Sequence, residues 1–110
     1  MMLLTKADAK RLPAYGSTTK TPLSEKIAVV KFFHPLSNWT WYAIEYDPVD
    51  RVFWGWVVGH EKEFGPFSLD EMEQTKVKGF GMERDRSFQP TKIKDLPEWN
   101  EENNPYWEGV

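Results

Sequence analysis

Apolar and polar residues alternate with a strand-like period through the middle of the chain. Ile27 to Phe33 joins β-branched Val29 and Val30 to Phe32 and Phe33, the residue types that suit a pleated, half-buried surface. His34-Pro35-Leu36-Ser37-Asn38 then reads as a turn, and Trp39 to Tyr46 and Arg51 to Val58 as two further strands. Asp47-Pro48-Val49-Asp50 between them is a turn, with Pro at its second position. A four-residue loop there pairs Tyr46 with Arg51, Ile44 with Phe53, Tyr42 with Gly55 and Thr40 with Val57 on one face. The other face then pairs Glu45 with Val52, Ala43 with Trp54, Trp41 with Trp56, and Trp39 with Val58. In this register four indoles share a side, and the Tyr42 ring covers the bare backbone of Gly55. A slip of one residue would turn every side chain to the other face.

Helix signals flank the strands. Thr5 and Asp8 form a capping pair ahead of a helix that Pro13 stops after Leu12. Ser68 and Glu71 form a second pair, opening a helix that runs to Lys76 or Lys78 and ends at Gly79. Residues 13–26 are rich in Gly, Pro and hydroxyl side chains and read as a loop. Lys62 to Phe67 is a fourth strand, placed at a sheet edge by Gly65 and Pro66. Phe80 to Phe88 holds a short strand, and Thr91 to Leu96 one helical turn. The expected fold is α+β: an antiparallel sheet of about four to five strands with two or three short helices. It forms one domain over residues 1–97, followed by an acidic, aromatic-containing and flexible tail over 98–110.

Composition narrows the function classes. At 110 residues the chain has room for one core, and its six Trp, four Tyr and seven Phe bury much area per residue. With no Cys, disulfide scaffolds and thiol catalysis are excluded. No stretch approaches the roughly 20 apolar residues that span a bilayer, so the expected location is the cytoplasm, with no membrane partner. The net charge of −3 is uneven: residues 1–97 carry 14 bases and 13 acids, whereas 98–110 carry four acids and no base. A nearly neutral body is a poor platform for duplex DNA, so nucleic acid is a possible but unfavoured partner.

Several segments resemble a known bacterial family. Met2-Leu-Leu-Thr-Lys6, Ala28-Val-Val-Lys-Phe-Phe33, Ser37-Asn-Trp-Thr-Trp-Tyr42, Val57-Val-Gly-His-Glu61, Phe67-Ser-Leu69 and Glu83-Arg-Asp85 together resemble domain of unknown function 2958, across roughly residues 2–96. The resemblance implies a short stand-alone protein carried on plasmids, integrative elements or phages. It supplies no activity, cofactor or catalytic residue to transfer. Orphan proteins on such elements often regulate element genes or block host defences.

Four candidate sites stand out. Trp39, Trp41, Trp54 and Trp56 form either a platform for bases or a protein partner, or plain core under the second helix and the loop before Ile27. His60 and Glu61, with His34, offer acid–base or metal-binding groups. Their spacing does not match the helical zinc motif, and the bland alternative is a turn imidazole bonded to backbone. Arg84 and Arg86, with Lys76, Lys78, Lys92 and Lys94, form either a patch for phosphates or an acidic partner, or a solvated face paired with Glu83 and Asp85. Trp99, Tyr106 and Trp107 in the tail are either a docking peptide or, for Trp99, a cap on the sheet. No Gly-rich phosphate loop or nucleophile elbow is present, and Ser37, Ser68 and Ser87 have no base beside them in sequence. The expected function is therefore non-catalytic: a cofactor-free protein-binding modulator of a mobile element, contacting a host defence or element-encoded complex. A single-stranded nucleic-acid module and a small metal-dependent hydrolase at His60 and Glu61 are the alternatives.

Overall fold

Five antiparallel strands form the central sheet of the computed structural model, which describes residues 2–101 and 103–107. The elements, in chain order, are α1 (Lys6–Arg11), β1 (Ile27–Ala28), β2 (Val30–Phe33), β3 (Thr40–Asp47), β4 (Val52–Val58), β5 (Lys62–Ser68), α2 (Leu69–Gln74), β6 (Lys76–Val77), β7 (Phe80–Gly81), β8 (Glu83–Arg84) and β9 (Thr91–Lys92). Single 3-10 turns lie at Leu23–Glu25, Ile93–Asp95 and Pro97–Asn100. The main sheet has the order β5-β4-β3-β2-β8, and β1 pairs with β9 beside it. The α+β expectation holds, with a radius of gyration of 13.5 Å, close to the roughly 13 Å of a compact domain this size.

Both α-helices start where the capping pairs place them. Thr5 Oγ1 accepts from the Asp8 N–H at 3.1 Å, and Ser68 Oγ accepts from the Glu71 N–H at 3.2 Å. The second helix is shorter than expected. It ends at Gln74, because residues 76–81 fold into the tight β6–β7 hairpin. Lys78 (φ 52°) and Gly79 (φ 84°) form its tip, so Gly79 supplies a left-handed turn position rather than a helix cap. The expected strand at 27–33 is split at Val29, whose N–H donates to the Ala43 carbonyl.

The β3–β4 register differs from expectation in a way that changes the molecule. Arg51 takes a left-handed conformation (φ 56°), which draws Asp47 into the strand opposite Val52. A bulge between Ala43 and Glu45 then shifts the pairing, giving Ala43 opposite Gly55, Tyr42 opposite Trp56 and Trp41 opposite Val57. The bulge turns Ile44 and Glu45 to one side. It also explains Gly55: a Cβ there would lie 1.9 Å from the Tyr42 carbonyl oxygen. Backbone, not the Tyr42 ring, closes on this glycine.

The sheet consequently has two different faces. One, the helical face, buries Val30, Phe32, Ala43, Tyr46 and Phe53 under Leu3, Leu4, Leu12, Leu69 and Met72. The other, the aromatic face, buries Tyr42, Ile44, Trp56 and Val58 under Ile93, Leu96 and Trp99. The edge strand β5 behaves as its sequence says. Leu69 N donates to Arg51 O at 2.9 Å, so by the alternation of an antiparallel ladder the Pro66–Trp54 pair is one whose backbone groups point outward. The missing N–H of Pro66 thus falls on the free edge, where it blunts pairing with another chain.

Candidate functional site

The four strand tryptophans do not share a face. Trp41 packs against the helical-face core, with Trp39 5.9 Å from it between ring centroids. Trp54 and Trp56 belong to the aromatic face. The register shift is the cause, and the expected single tryptophan platform is corrected to two separate pairs.

Trp56 is fully buried. Its ring stacks on Tyr42 at 6.0 Å and Phe64 at 5.8 Å and meets Trp99 edge-on at 5.7 Å. This is core. Trp54 is half-buried and stacks on Phe64 at 5.6 Å.

The Trp39 pair lies where β3 begins and β4 ends, and both rings are half-buried. Trp41, Val57 and Glu63 run side by side across β3, β4 and β5; the first two are half-buried and Glu63 is exposed. Trp39 lies flat on Gly59, where a Cβ would come within 2.6 Å of the indole. Its other neighbour is the exposed His60, edge-on at 5.5 Å. Glycine at 59 is therefore what lets the indole lie down at the sheet end. Glu61 is exposed in the same turn. Among the described residues no three His, Cys, Asp or Glu side chains are placed to share a metal ion. His34 is apart from this group: it is buried, its Nε2 lies 2.9 Å from the Phe80 carbonyl oxygen and its Nδ1 accepts from the Leu36 N–H. It ties the β6–β7 hairpin to the turn after β2.

The basic residues are not brought into one patch. Arg84 lies 3.4 Å from the buried Asp8 carboxylate, which Arg11 also engages. Lys92 and Lys94 flank Glu25 at 3.5 and 2.9 Å. The Lys94 hydrogen bond lowers the Glu25 pKa, and the same bond raises that of Lys94. Lys76 and Lys78 sit on the exposed hairpin, and Arg86 is exposed beside Met2 and Met82.

The tail residues are part of the fold. Trp99 is buried against Trp56, and Tyr106 meets Phe64 edge-on at 4.9 Å. Trp107 lines a hollow of about 770 Å³ between this segment and Leu23. The boundary expected at residue 97 is thus crossed by core packing, through residue 101 and again over 103–107; residues 102 and 108–110 lie outside the described residues. Two tethers hold the segment. The Tyr42 hydroxyl donates to the Glu98 carboxylate at 2.9 Å. The buried Lys62 ammonium donates to the Glu98 carbonyl at 3.2 Å, and to Glu101 and Asn103 at 2.5 Å each. Burial, and secondarily the Glu98 charge, raise the Tyr42 pKa far above its ordinary value.

Sequence reasoning missed a further cluster on the aromatic face. Glu45, opposite Trp54, accepts from the Gly16 N–H at 2.6 Å and the Thr18 N–H at 3.0 Å, and from the Thr18 hydroxyl. Lys26 donates to that hydroxyl at 3.0 Å and to the Thr18 carbonyl, with its ammonium 5.2 Å from the Trp54 ring centroid. Both charged side chains are buried. The available signal was a carboxylate inside the apolar run Tyr42-Ala-Ile-Glu-Tyr46.

The architecture is that of a small α+β domain, and no group of three His, Cys, Asp or Glu side chains able to hold a metal ion occurs among its described residues. The chain belongs to the family described as Protein of unknown function (DUF2958), which it matches over residues 3–104. The match takes in most of the segment after Pro97, in keeping with its packing. No curated protein matches the chain, and neither does any solved structure.

Proposed function

We propose that this chain is a non-catalytic binding protein of a mobile genetic element, acting in the cytoplasm by contact with a host nucleoprotein such as a restriction or CRISPR effector. The observation that carries the reading is the half-exposed sheet end: Trp39 laid on Gly59 against Trp41 and His60, with Glu61 and Glu63 exposed nearby. Flat aromatic anchors with few rotatable bonds are what protein hot spots use. These carboxylates oppose the phosphates of a nucleic-acid ligand and favour a basic protein cleft. The mobile-element setting rests on what the family resemblance implies. In the test, cells expressing the protein are transformed with a plasmid that a restriction or CRISPR system targets. The expected result is at least tenfold more transformants than with an empty vector, reverting with Trp39→Ala, together with co-elution of the purified effector and the wild-type protein. Equal transformation across a panel of such systems, with no co-eluting complex, would remove the reading.

A further inference from the structure

The Lys26–Glu45 cluster does more than hold a loop. Beside it lies a hollow of about 480 Å³ walled by Tyr15, Pro22, Leu23 and Trp54, with Lys26 and Glu45 on its lining. That volume falls within the range of small-ligand sites, which combine apolar walls with a few convergent polar groups. Both charged side chains are more than nine-tenths buried, and neither has spent its hydrogen-bonding capacity. An ammonium has three donors; Lys26 uses two acceptors among the described residues, both on Thr18, and its remaining contact is the Trp54 ring 5.2 Å away, a weaker partner than a ligand acceptor. Glu45 Oε2 takes two donors from Thr18, whereas Oε1 takes only the Gly16 N–H. The two groups meet at one hydroxyl, so a spare donor and a spare acceptor lie a few ångströms apart.

We infer that this hollow is a binding site for a neutral, flat nitrogen heterocycle of the nucleobase kind, held as a free nucleoside or base. Three features select that chemistry. The exposed Tyr15 wall is aromatic and suits a planar π-system, while Trp54, stacked on Phe64 with the Lys26 ammonium over its ring, closes the far side. The polar pair reads an edge that carries an acceptor next to a donor, as nucleobases do. Finally, the charges of Lys26 and Glu45 cancel, so a charged ligand would enter with no buried counter-charge, whereas a neutral one only exchanges hydrogen bonds. The site lies on the opposite face from the Trp39 surface, and its occupancy does not depend on that surface binding anything.

The test titrates the full chain with adenosine, guanosine, cytidine and uridine by calorimetry. At least one should bind saturably, with a dissociation constant on the order of 0.1 mM for a ligand this small. Tyr15→Ala removes an exposed wall (44% exposed) without touching the core and should weaken binding at least tenfold, in the range of base–aromatic stacking. Lys26→Met should weaken it similarly, and Trp39→Ala should leave it unchanged. If Lys26→Met fails to fold, Tyr15→Ala still decides. Absence of saturable binding by all four nucleosides at millimolar concentration overturns the assignment. So does binding that survives Tyr15→Ala, or binding seen only with the 5′-phosphates, which would mean recognition of an anion.

Discussion

The helical and aromatic faces of one sheet are roofed by different means. On the helical face the cover is Leu3 and Leu4 ahead of α1, Leu12 at its C-cap, and Leu69 and Met72 of α2, with each helix start capped by a side-chain hydroxyl. On the aromatic face the cover is irregular chain with single 3-10 turns, over residues 93–101 and 103–107. Such chain leaves backbone and side-chain polar groups that must find partners. Four of the six buried polar or charged side chains among the described residues serve there: Lys26, Glu45, Lys62 and Asn104. Asn104 shows the pattern in miniature, donating to the Trp99 carbonyl at 2.7 Å and accepting from the Tyr106 N–H at 3.1 Å. The helical-face cover is tied down chiefly by charges at its margins, Asp8 to Arg84 and Arg51 to Asp70 and Glu73; the irregular cover is tied by polar side chains buried beneath it.

Substitutions can break or sharpen this contrast. The largest effect should come from Trp56→Ala, which removes the ring packed on Tyr42, Phe64 and Trp99 at a cost of about 3–5 kcal/mol. Urea unfolding measures it, and an equal loss of stability from Trp39→Ala would mean that the half-exposed sheet end is core after all. Next is Gly59→Ala. Its new Cβ must push the Trp39 indole aside, costing about 1–3 kcal/mol as overpacking does. The fold should survive, with the Trp39 emission shifted and binding to the partner abolished; an unchanged emission spectrum would contradict the flat placement of the ring.

Tyr42→Phe leaves the Glu98 carboxylate without its donor and should cost roughly 1–2 kcal/mol at neutral pH. Its signature is alkaline. Burial and Glu98 raise the folded-state Tyr42 pKa, so the unfolded chain loses this proton first. The contribution is whole below about pH 10 and falls above it by about 1.4 kcal/mol per pH unit. The Phe variant should therefore lose less stability than wild type between pH 9 and 11 in paired urea titrations, and parallel curves would count against a buried phenol. The smallest global effect, about 1 kcal/mol, is expected for Lys62→Met, which swaps a buried ammonium for an apolar chain of similar length. Its local effect should be larger: amide exchange over 98–107 should speed up while that of β3 and β4 holds. Uniform exchange would show that the tether is not what pins the segment.

Much of the secondary structure was legible because its causes are local. Thr5 with Asp8 and Ser68 with Glu71 mark helix starts through bonds spanning three residues, and β-branched and aromatic runs mark β2, β3 and β4. Pro66 announced an edge strand for a reason internal to its own backbone. The hairpin at 76–81 was hidden because Lys76 and Lys78 are good helix formers; the pairing of Val77 with Phe80 outweighed their propensity. Of the candidate site residues, Trp39 and His60 were brought together, because they sit at one end of adjacent strands whatever the register.

By itself the sequence determined the longer strands β2 to β5, where the α-helices begin, and that aromatic rings would dominate a single small core. Only the tertiary structure decided which rings share a face, because one left-handed residue at Arg51 and one bulge at Ile44 reset an alternation whose period is two. It also decided which charges go inside. Burying Lys26, Glu45 and Lys62 is tolerable only when Thr18, Gly16, Glu98 and Asn103, distant along the chain, arrive with the matching hydrogen bonds, and no local pattern encodes that meeting.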